Sequence, residues 1–285
     1  MAYFFVVGSQ RSGGYLVYAI LCSDPSTNPV LRENHFVGHA AWAYREARGR
    51  VRFEQGHFFA DLQETQEFFS GWITSFLEKV RSRYPPARHL IIKSVALNAY
   101  CPELHEVVPG ARFVMSVRDP RDIVASMIEV SNRKLQKKMQ GYPQIPRDVK
   151  LMASNRDVES MASKLMTCYG PCLACRDPGF RARLLYVKYE DLVSDPSSVI
   201  ADMQSWTGLD LSEFDPAGEW PRSLRDFDVD REIGTPYITE PYGKAITARS
   251  IGRYKNTLSV EETLTVERMC APLMQAFDYL PSESS

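Results

Sequence analysis

The chain has 285 residues, 44% hydrophobic and 24% charged, with a formal net charge of −1. This is the make-up of a folded globular protein with material for a sizeable core, and its near-neutral balance excludes a general nucleic-acid binder. No stretch reaches the roughly 18 uninterrupted apolar residues of a membrane span. No basic n-region precedes the first apolar run, so the sequence is read as lacking a signal peptide, as cytoplasmic, and as keeping its six cysteines reduced.

Tyr3-Phe4-Phe5-Val6-Val7 is a short β-branched and aromatic run, the pattern of a buried strand. Gly8-Ser9-Gln10-Arg11-Ser12-Gly13-Gly14 follows, and Tyr15 to Leu21 reads as a buried helix. Strand, glycine-bracketed loop and helix in that order form an anion cradle, because backbone N–H groups converge where the helix dipole is positive. Gly8 and Gly13 have the spacing of the phosphate-binding P-loop. The lysine position of that motif holds Gly14, and its magnesium-ligating hydroxyl position holds Tyr15. Arg11 is the only cation in the loop, so the cradle reads as built for an anion without metal help, although a tight turn with a surface arginine has the same local pattern.

Asp24 to Pro29 is a turn cluster, and Val30 to Glu33 reads as a second strand with Glu33 and His35 at its carboxyl end. Ligands in open parallel sheets sit beyond such ends, and either residue suits a general base, as it equally suits a solvated loop. Asp61 to Arg83 reads as an amphipathic helix with Phe68, Phe69, Trp72, Ile73, Phe76, Leu77 and Val80 on its buried side. His89 to Ser94 is a strand ending near Lys93, Pro102 to Val108 a short helix, and Ala111 to Val117 a strand ending on Arg118. A helix from Ile123 to about Gln140 brings Ser126 onto its first turns, where it and Arg118 face one anion together. Arg118 paired with Asp119 or Asp122 is the plainer alternative. The β-α-β-α-β order argues a parallel sheet with helices on both faces.

Residues 131–150 carry six Lys/Arg against one acid, interrupted by Pro143 and Pro146, and read as a lid, an acceptor-binding arm or a solvated face. Asp157 to Cys175 is a helix whose Cys168, Cys172 and Cys175 have a spacing that resembles an iron–sulfur triad, against the commoner use of cysteine as a small buried residue. Arg183 to Leu192 is a strand running into a loop, and Asp195 caps a helix ending near Gly208. Residues 214–250 are proline-rich and aperiodic, the pattern of a second lid or binding loop. Ser250-Ile251-Gly252-Arg253-Tyr254-Lys255 follows, and Val260 to Leu280 reads as one final helix.

With these stretches placed, the chain resembles the sulfotransferase family that uses 3′-phosphoadenosine-5′-phosphosulfate. Gly8 to Gly13 resembles its 5′-phosphosulfate loop, in the arginine form of the tyrosylprotein branch. Val117 to Ser126 resembles its 3′-phosphate motif. Tyr186 to Leu192 resembles the strand whose tyrosine reaches the adenine, and Ser250 to Lys255 resembles the segment that returns over the nucleotide.

The resemblance implies one α/β domain over 1–285, a P-loop NTPase-like three-layer sandwich with a central parallel sheet of about five strands flanked by helices. It implies the phosphosulfate nucleotide as co-substrate, no metal, and a small-molecule or carrier-bound hydroxyl as acceptor, and it leaves a homodimer open. By position, Arg11 stabilises charge on the phosphosulfate, with Gln10 beside it, and Ser12, Gly13, Gly14 and Tyr15 supply loop N–H groups. Arg118 and Ser126 meet the 3′-phosphate with Arg253 and Lys255, and Ser250, Gly252 and Tyr254 complete that segment. Tyr189 meets the adenine, and Lys93 matches a strand-end catalytic lysine. The histidine that follows that lysine in the cytosolic branch falls at Val95, so Glu33, with His35 as substitute, is the expected base. A metal-dependent phosphotransferase and a nucleotide-binding protein without turnover are the alternatives.

Overall fold

The computed structural model describes residues 1–50, 55–139, 156–225 and 241–282. Four strands, β1 (Tyr3–Val7), β2 (Leu90–Lys93), β3 (Ala111–Val117) and β4 (Leu184–Lys188), form one sheet in the order β2-β1-β3-β4. Every pairing is parallel, with Tyr3 opposite both Leu90 and Ala111, and Phe113 opposite Leu184. Parallel neighbours need crossovers, and here helices supply them on both faces.

The pleat sorts the core. Tyr3, Phe5 and Val7 join one buried cluster with α2 (Phe36–Arg50), α3 (Leu62–Arg81), α4 (Cys101–Val107), α5 (Pro120–Met139) and α6 (Val158–Ala174). Phe4 and Val6 point the other way, into a cluster with α1 (Gly14–Leu21). This second face continues after α7 (Pro178–Arg181) and α8 (Tyr189–Ser194) with α9 (Pro196–Thr207). The result is the expected three-layer α/β sandwich, and the loops after β1 and β3 open at the same edge of the sheet.

The described sheet has four strands where about five were expected, and the missing one is Val30 to Glu33. That segment takes no regular structure and does not pair with the sheet. The side chain of Asn28 takes the place of a strand: its amide donates to the Ile91 carbonyl at 3.0 Å, and its carbonyl accepts from the Ile91 N–H at 2.7 Å. Pro29 has no N–H to offer a ladder, and the Val30 N–H goes instead to the Ser223 carbonyl at 2.9 Å.

Two further expectations are corrected. On α3, Thr65, Phe69, Ile73 and Leu77 are the fully buried stripe, whereas Phe68 and Trp72 lie at its rim, exposed by 56% and 44%. The single helix expected over 260–280 is two, α10 (Val260–Met269) and α11 (Ala271–Ala276), because Pro272 in the first turn of α11 cannot continue the hydrogen-bond ladder. The basic stretch begins as the last turns of α5, through Met139; positions 140–150 lie outside the described residues, as do 226–240 of the second loop segment.

Candidate functional site

The site is built on the turn from β1 to α1. Gly8, Arg11 and Gly13 all have positive φ, 122°, 71° and 91°. A side chain at Gly8 would meet the Ser116 carbonyl oxygen at 2.4 Å, so only glycine lets the loop cross β3 this closely. A side chain at Gly13 would meet the Tyr189 ring at 2.6 Å. Gly13 is also the residue before α1 and brings no capping side chain, which leaves the helix N-terminus to the loop's occupant.

Three buried side chains from other elements hold this loop. Asn98 accepts from the Gly8 N–H and donates to the Gly8 carbonyl, both at 2.8 Å. The Tyr169 hydroxyl on α6 accepts from the Ser9 N–H at 3.2 Å and donates to the Ser116 carbonyl at 2.9 Å. The Ser12 and Ser116 hydroxyls meet at 2.6 Å. Ser12 is wholly buried and its N–H bonds the Ser9 carbonyl, so it shapes the loop from within. Asn98, Ser116 and Tyr169 carry no motif signal; only the fold brings them to the loop.

Arg11 and Arg118 meet above the loop. The Arg11 Nε donates to Ser126 Oγ at 3.1 Å, and Arg118 Nη1 donates to the Arg11 carbonyl at 3.1 Å, together fixing Arg11 in its left-handed backbone. Arg118 also donates to the Ser250 carbonyl, pairs with Asp122 at 3.6 Å, and lies 4.5 Å from the Tyr189 ring centre. The plainer Arg118–Asp122 pairing is thus present, and Ser126 is engaged by Arg11 rather than by Arg118. Burial, then the nearby Arg133 and Arg118 guanidiniums, push the Arg11 pKa down to about 10. Arg133, on the same face of α5 as Ser126, was not singled out by any motif. Buried guanidinium atoms at both neighbours, Nε of Arg118 and Nε and Nη2 of Arg133, have no hydrogen-bond partner among the described residues. Concentrated cationic charge with unspent donors fits a multiply charged anion.

The C-terminal segment reaches the site through Asp122, whose carboxylate accepts from the N–H groups of Gly252 and Tyr254 at 2.8 and 2.9 Å. Burial holds the Asp122 pKa above its usual range despite Arg118 and these donors. Arg253 is committed to Glu129 at 2.8 Å, Tyr254 stacks on Arg121, and Lys255 is exposed. Gln10 is exposed at the loop tip.

The end of β2 completes the arrangement. Lys93 ion-pairs with Glu33, and its ammonium stands 4.0 Å from the Tyr15 ring centre. A side chain at position 14 would meet Lys93 Cε and Ser116 Oγ at 3.2 Å. The cation that the loop lacks at Gly14 is therefore delivered to the same place from the neighbouring strand. Glu33 also accepts from the Val95 N–H at 3.1 Å. Burial would raise the Glu33 pKa, but Lys93, Val95 and the Tyr15 hydroxyl outweigh it and hold the carboxyl below its ordinary range. His35 is exposed, with Nδ1 3.1 Å from Ser94 Oγ.

Beyond Val95 a cavity of about 450 Å³ opens between α2, the turn after β2, and α6, walled by Gly38, Trp42, Ala96, Tyr100 and Cys168. Among the described residues its lining includes no Lys, Arg, Asp or Glu. Of the cysteine triad, Cys168 thus faces this cavity and Cys172 is fully buried; among the described residues no three His, Cys, Asp or Glu side chains converge to hold a metal ion.

Residues 4–213 match the model of the sulfotransferase family. A candidate protein-tyrosine sulfotransferase of Caenorhabditis briggsae is 22% identical over 214 residues, covering 73% of this chain and 66% of that protein. A like-named protein of Caenorhabditis elegans is 24% identical over 150 residues, 52% of this chain and 51% of that protein. The matches thus span between half and two thirds of these curated relatives. Among solved structures, the sulfotransferase domain of the Synechococcus PCC 7002 olefin synthase superposes with a TM-score of 0.53 at 19% identity, covering 98% of this chain and 95% of that one. The sulfotransferase domain from the curacin biosynthetic pathway gives 0.52 at 16%, covering 95% and 97%. At these identities the structural likeness speaks for the fold.

Proposed function

The chain belongs to the sulfotransferase family, and from that we propose that it moves a sulfuryl group from 3′-phosphoadenosine-5′-phosphosulfate to an acceptor hydroxyl by in-line displacement. The observation that carries the nucleotide assignment is the convergence of Arg11, Ser126 and Arg118 over an uncapped helix N-terminus, with Arg118 Nε unpaired among the described residues. When bound, the nucleotide supplies an activated sulfuryl group whose bond to phosphate oxygen breaks as the acceptor oxygen attacks.

The N–H groups of Gly13, Gly14 and Tyr15 would receive the phosphosulfate, while Arg118 and Ser126 would hold the 3′-phosphate. The Tyr189 ring, packed on Gly13 and Arg118, would meet the base. Arg11 and Lys93 bring two positive charges to the sides of the loop, where leaving-group charge develops. Glu33 is ionised at neutral pH and takes the acceptor proton onto its carboxylate. His35, two residues after Glu33 and within hydrogen-bond reach of Ser94 beyond β2, is the substitute base. The cavity beyond Val95, whose described lining includes His39 but no Lys, Arg, Asp or Glu, admits the acceptor, a hydroxyl on a small or carrier-bound molecule with an apolar body. Positioning and charge stabilisation carry most of the rate, as in phosphoryl transfer.

Calorimetric titration with 3′-phosphoadenosine-5′-phosphate tests this reading. Wild-type protein is expected to bind without magnesium, and Arg118→Ala to lose most of that affinity. A folded wild-type protein that does not bind, or binds only with magnesium, would overturn the nucleotide assignment.

A further inference from the structure

Arg133 lies seven residues past Ser126, two turns along the same face of α5, so both side chains approach the loop from one side. Two of its guanidinium nitrogens, Nε and Nη2, are buried without a hydrogen-bond partner among the described residues. Leaving charged donors unpaired in the interior is costly, and the great majority of such groups in folded proteins are satisfied. Arg118 shows the same feature at its Nε, although its two terminal nitrogens are committed to the Arg11 and Ser250 carbonyls. Arg11, between them, spends its Nε on Ser126. Glu129, one turn before Arg133 on this helix, is taken by Arg253 at 2.8 Å. Three guanidiniums thus gather with the local carboxylate already engaged.

We propose that Arg133 is a further arginine of the 3′-phosphate site, supplying its Nε and Nη2 donors to the same phosphate that Arg118 and Ser126 meet, and that it sets the preference for a nucleotide carrying that group. This rests on the nucleotide assignment above. The chemistry suits it: a phosphate dianion has three acceptor oxygens, and Arg118 Nε, the Ser126 hydroxyl and one edge of Arg133 give it donors from three directions. Arg253, read from sequence as a helper at this phosphate, is held by Glu129, and Arg133 stands where that helper is needed.

The test compares two ligands, 3′-phosphoadenosine-5′-phosphate and adenosine-5′-phosphate, which differ only in the 3′-phosphate. Calorimetry on wild type, Arg133→Met and Arg133→Lys gives six affinities. Wild type is expected to prefer the 3′-phosphorylated ligand strongly. Arg133→Met should weaken that ligand roughly 10- to 100-fold, the range for a lost charge-assisted hydrogen bond, and shift adenosine-5′-phosphate less than about 3-fold. Arg133→Lys, which keeps the charge without the planar fork, should fall between. If both ligands weaken equally, or neither does, Arg133 does not read the 3′-phosphate and the proposal fails. A wild type with no preference between the two ligands would instead sink the nucleotide assignment. Should the methionine variant fail to fold, the lysine variant decides, since a folded lysine variant with unchanged preference also overturns the proposal.

Discussion

Glu33 is held at its two oxygens by Lys93 and the Val95 N–H, so its carboxylate is both aimed and kept ionised. A low carboxyl pKa makes a weak base, and the compensation is position: the cavity begins at Val95 itself. Glu33→Gln is expected to reduce kcat roughly 10²- to 10⁴-fold, the usual cost of removing a general base, with little change in nucleotide affinity. Because the folded pKa lies below the ordinary value, the acid limb of wild-type kcat/KM against pH should fall below the normal carboxylate range and vanish in the glutamine enzyme. Stability follows the same sign: the Glu33–Lys93 contribution is full above the unfolded carboxyl pKa and is lost as pH falls through the lower folded one. Near-normal turnover in Glu33→Gln would move the role of base elsewhere. At this scale, Arg11, Arg118 and Ser126 were legible because their spacing is itself a motif. Arg133 was not, since one arginine among six cations in a basic stretch has no distinguishing mark until the helix places it.

At the scale of elements, the cradle depends on supports that arrive from far along the chain. Asn98 belongs to a short turn after β2, yet both hydrogen-bonding groups of Gly8 end on its amide. Asn98→Ala would leave a buried N–H and a buried carbonyl unsatisfied. It is expected to cost about 2–4 kcal/mol, measured by denaturant unfolding, and to weaken nucleotide binding through a loosened loop. Unchanged stability with a folded loop would show that water replaces the amide without penalty. Strands β1 to β4 were readable because each is a short run of apolar residues. The supposed strand at Val30 was misread for a local reason with a distant cause: its apolar pattern is real, but Asn28 and Ser223 answer the hydrogen bonds that a ladder would need. Tyr169 and Asn98 were invisible as site residues, since a tyrosine inside an apolar helix and an asparagine in a turn acquire their roles only through tertiary contact. Phe68 and Trp72 illustrate the limit of periodicity, which places residues on a face but not at its centre or rim.

At the scale of the whole molecule, a second arginine ties the two ends of the fold together. Arg121 grips Asp119 at 2.7 Å, reaches Glu267 on α10 at 2.7 Å, and carries the Tyr254 ring at 4.5 Å. Asp119 in turn offers its N–H to Glu190, which accepts from the Tyr279 hydroxyl at 2.8 Å. The side chains of Arg121, Asp119 and Glu267 are nearly buried, exposed by 6%, 11% and 10%. Arg121→Ala strands two buried carboxylates and is expected to cost about 3–5 kcal/mol, read as a lower denaturation midpoint. A change below 1 kcal/mol would mean that α10 docks by apolar contact alone.

Arg118 joins residue 11 to residue 250, and Asp122 joins α5 to residues 252 and 254. During synthesis the glycine loop is therefore made well before it is finished. β1 and its turn leave the ribosome long before Ser250, and the arginine that spans the site gains its final anchor only once that residue has emerged. Contacts of such high sequence separation slow the search for the native state. Nucleotide capture should thus be among the last properties to appear during refolding, lagging the return of helical signal, and a chain released before Ser250 should fold its sheet without acquiring the ligand.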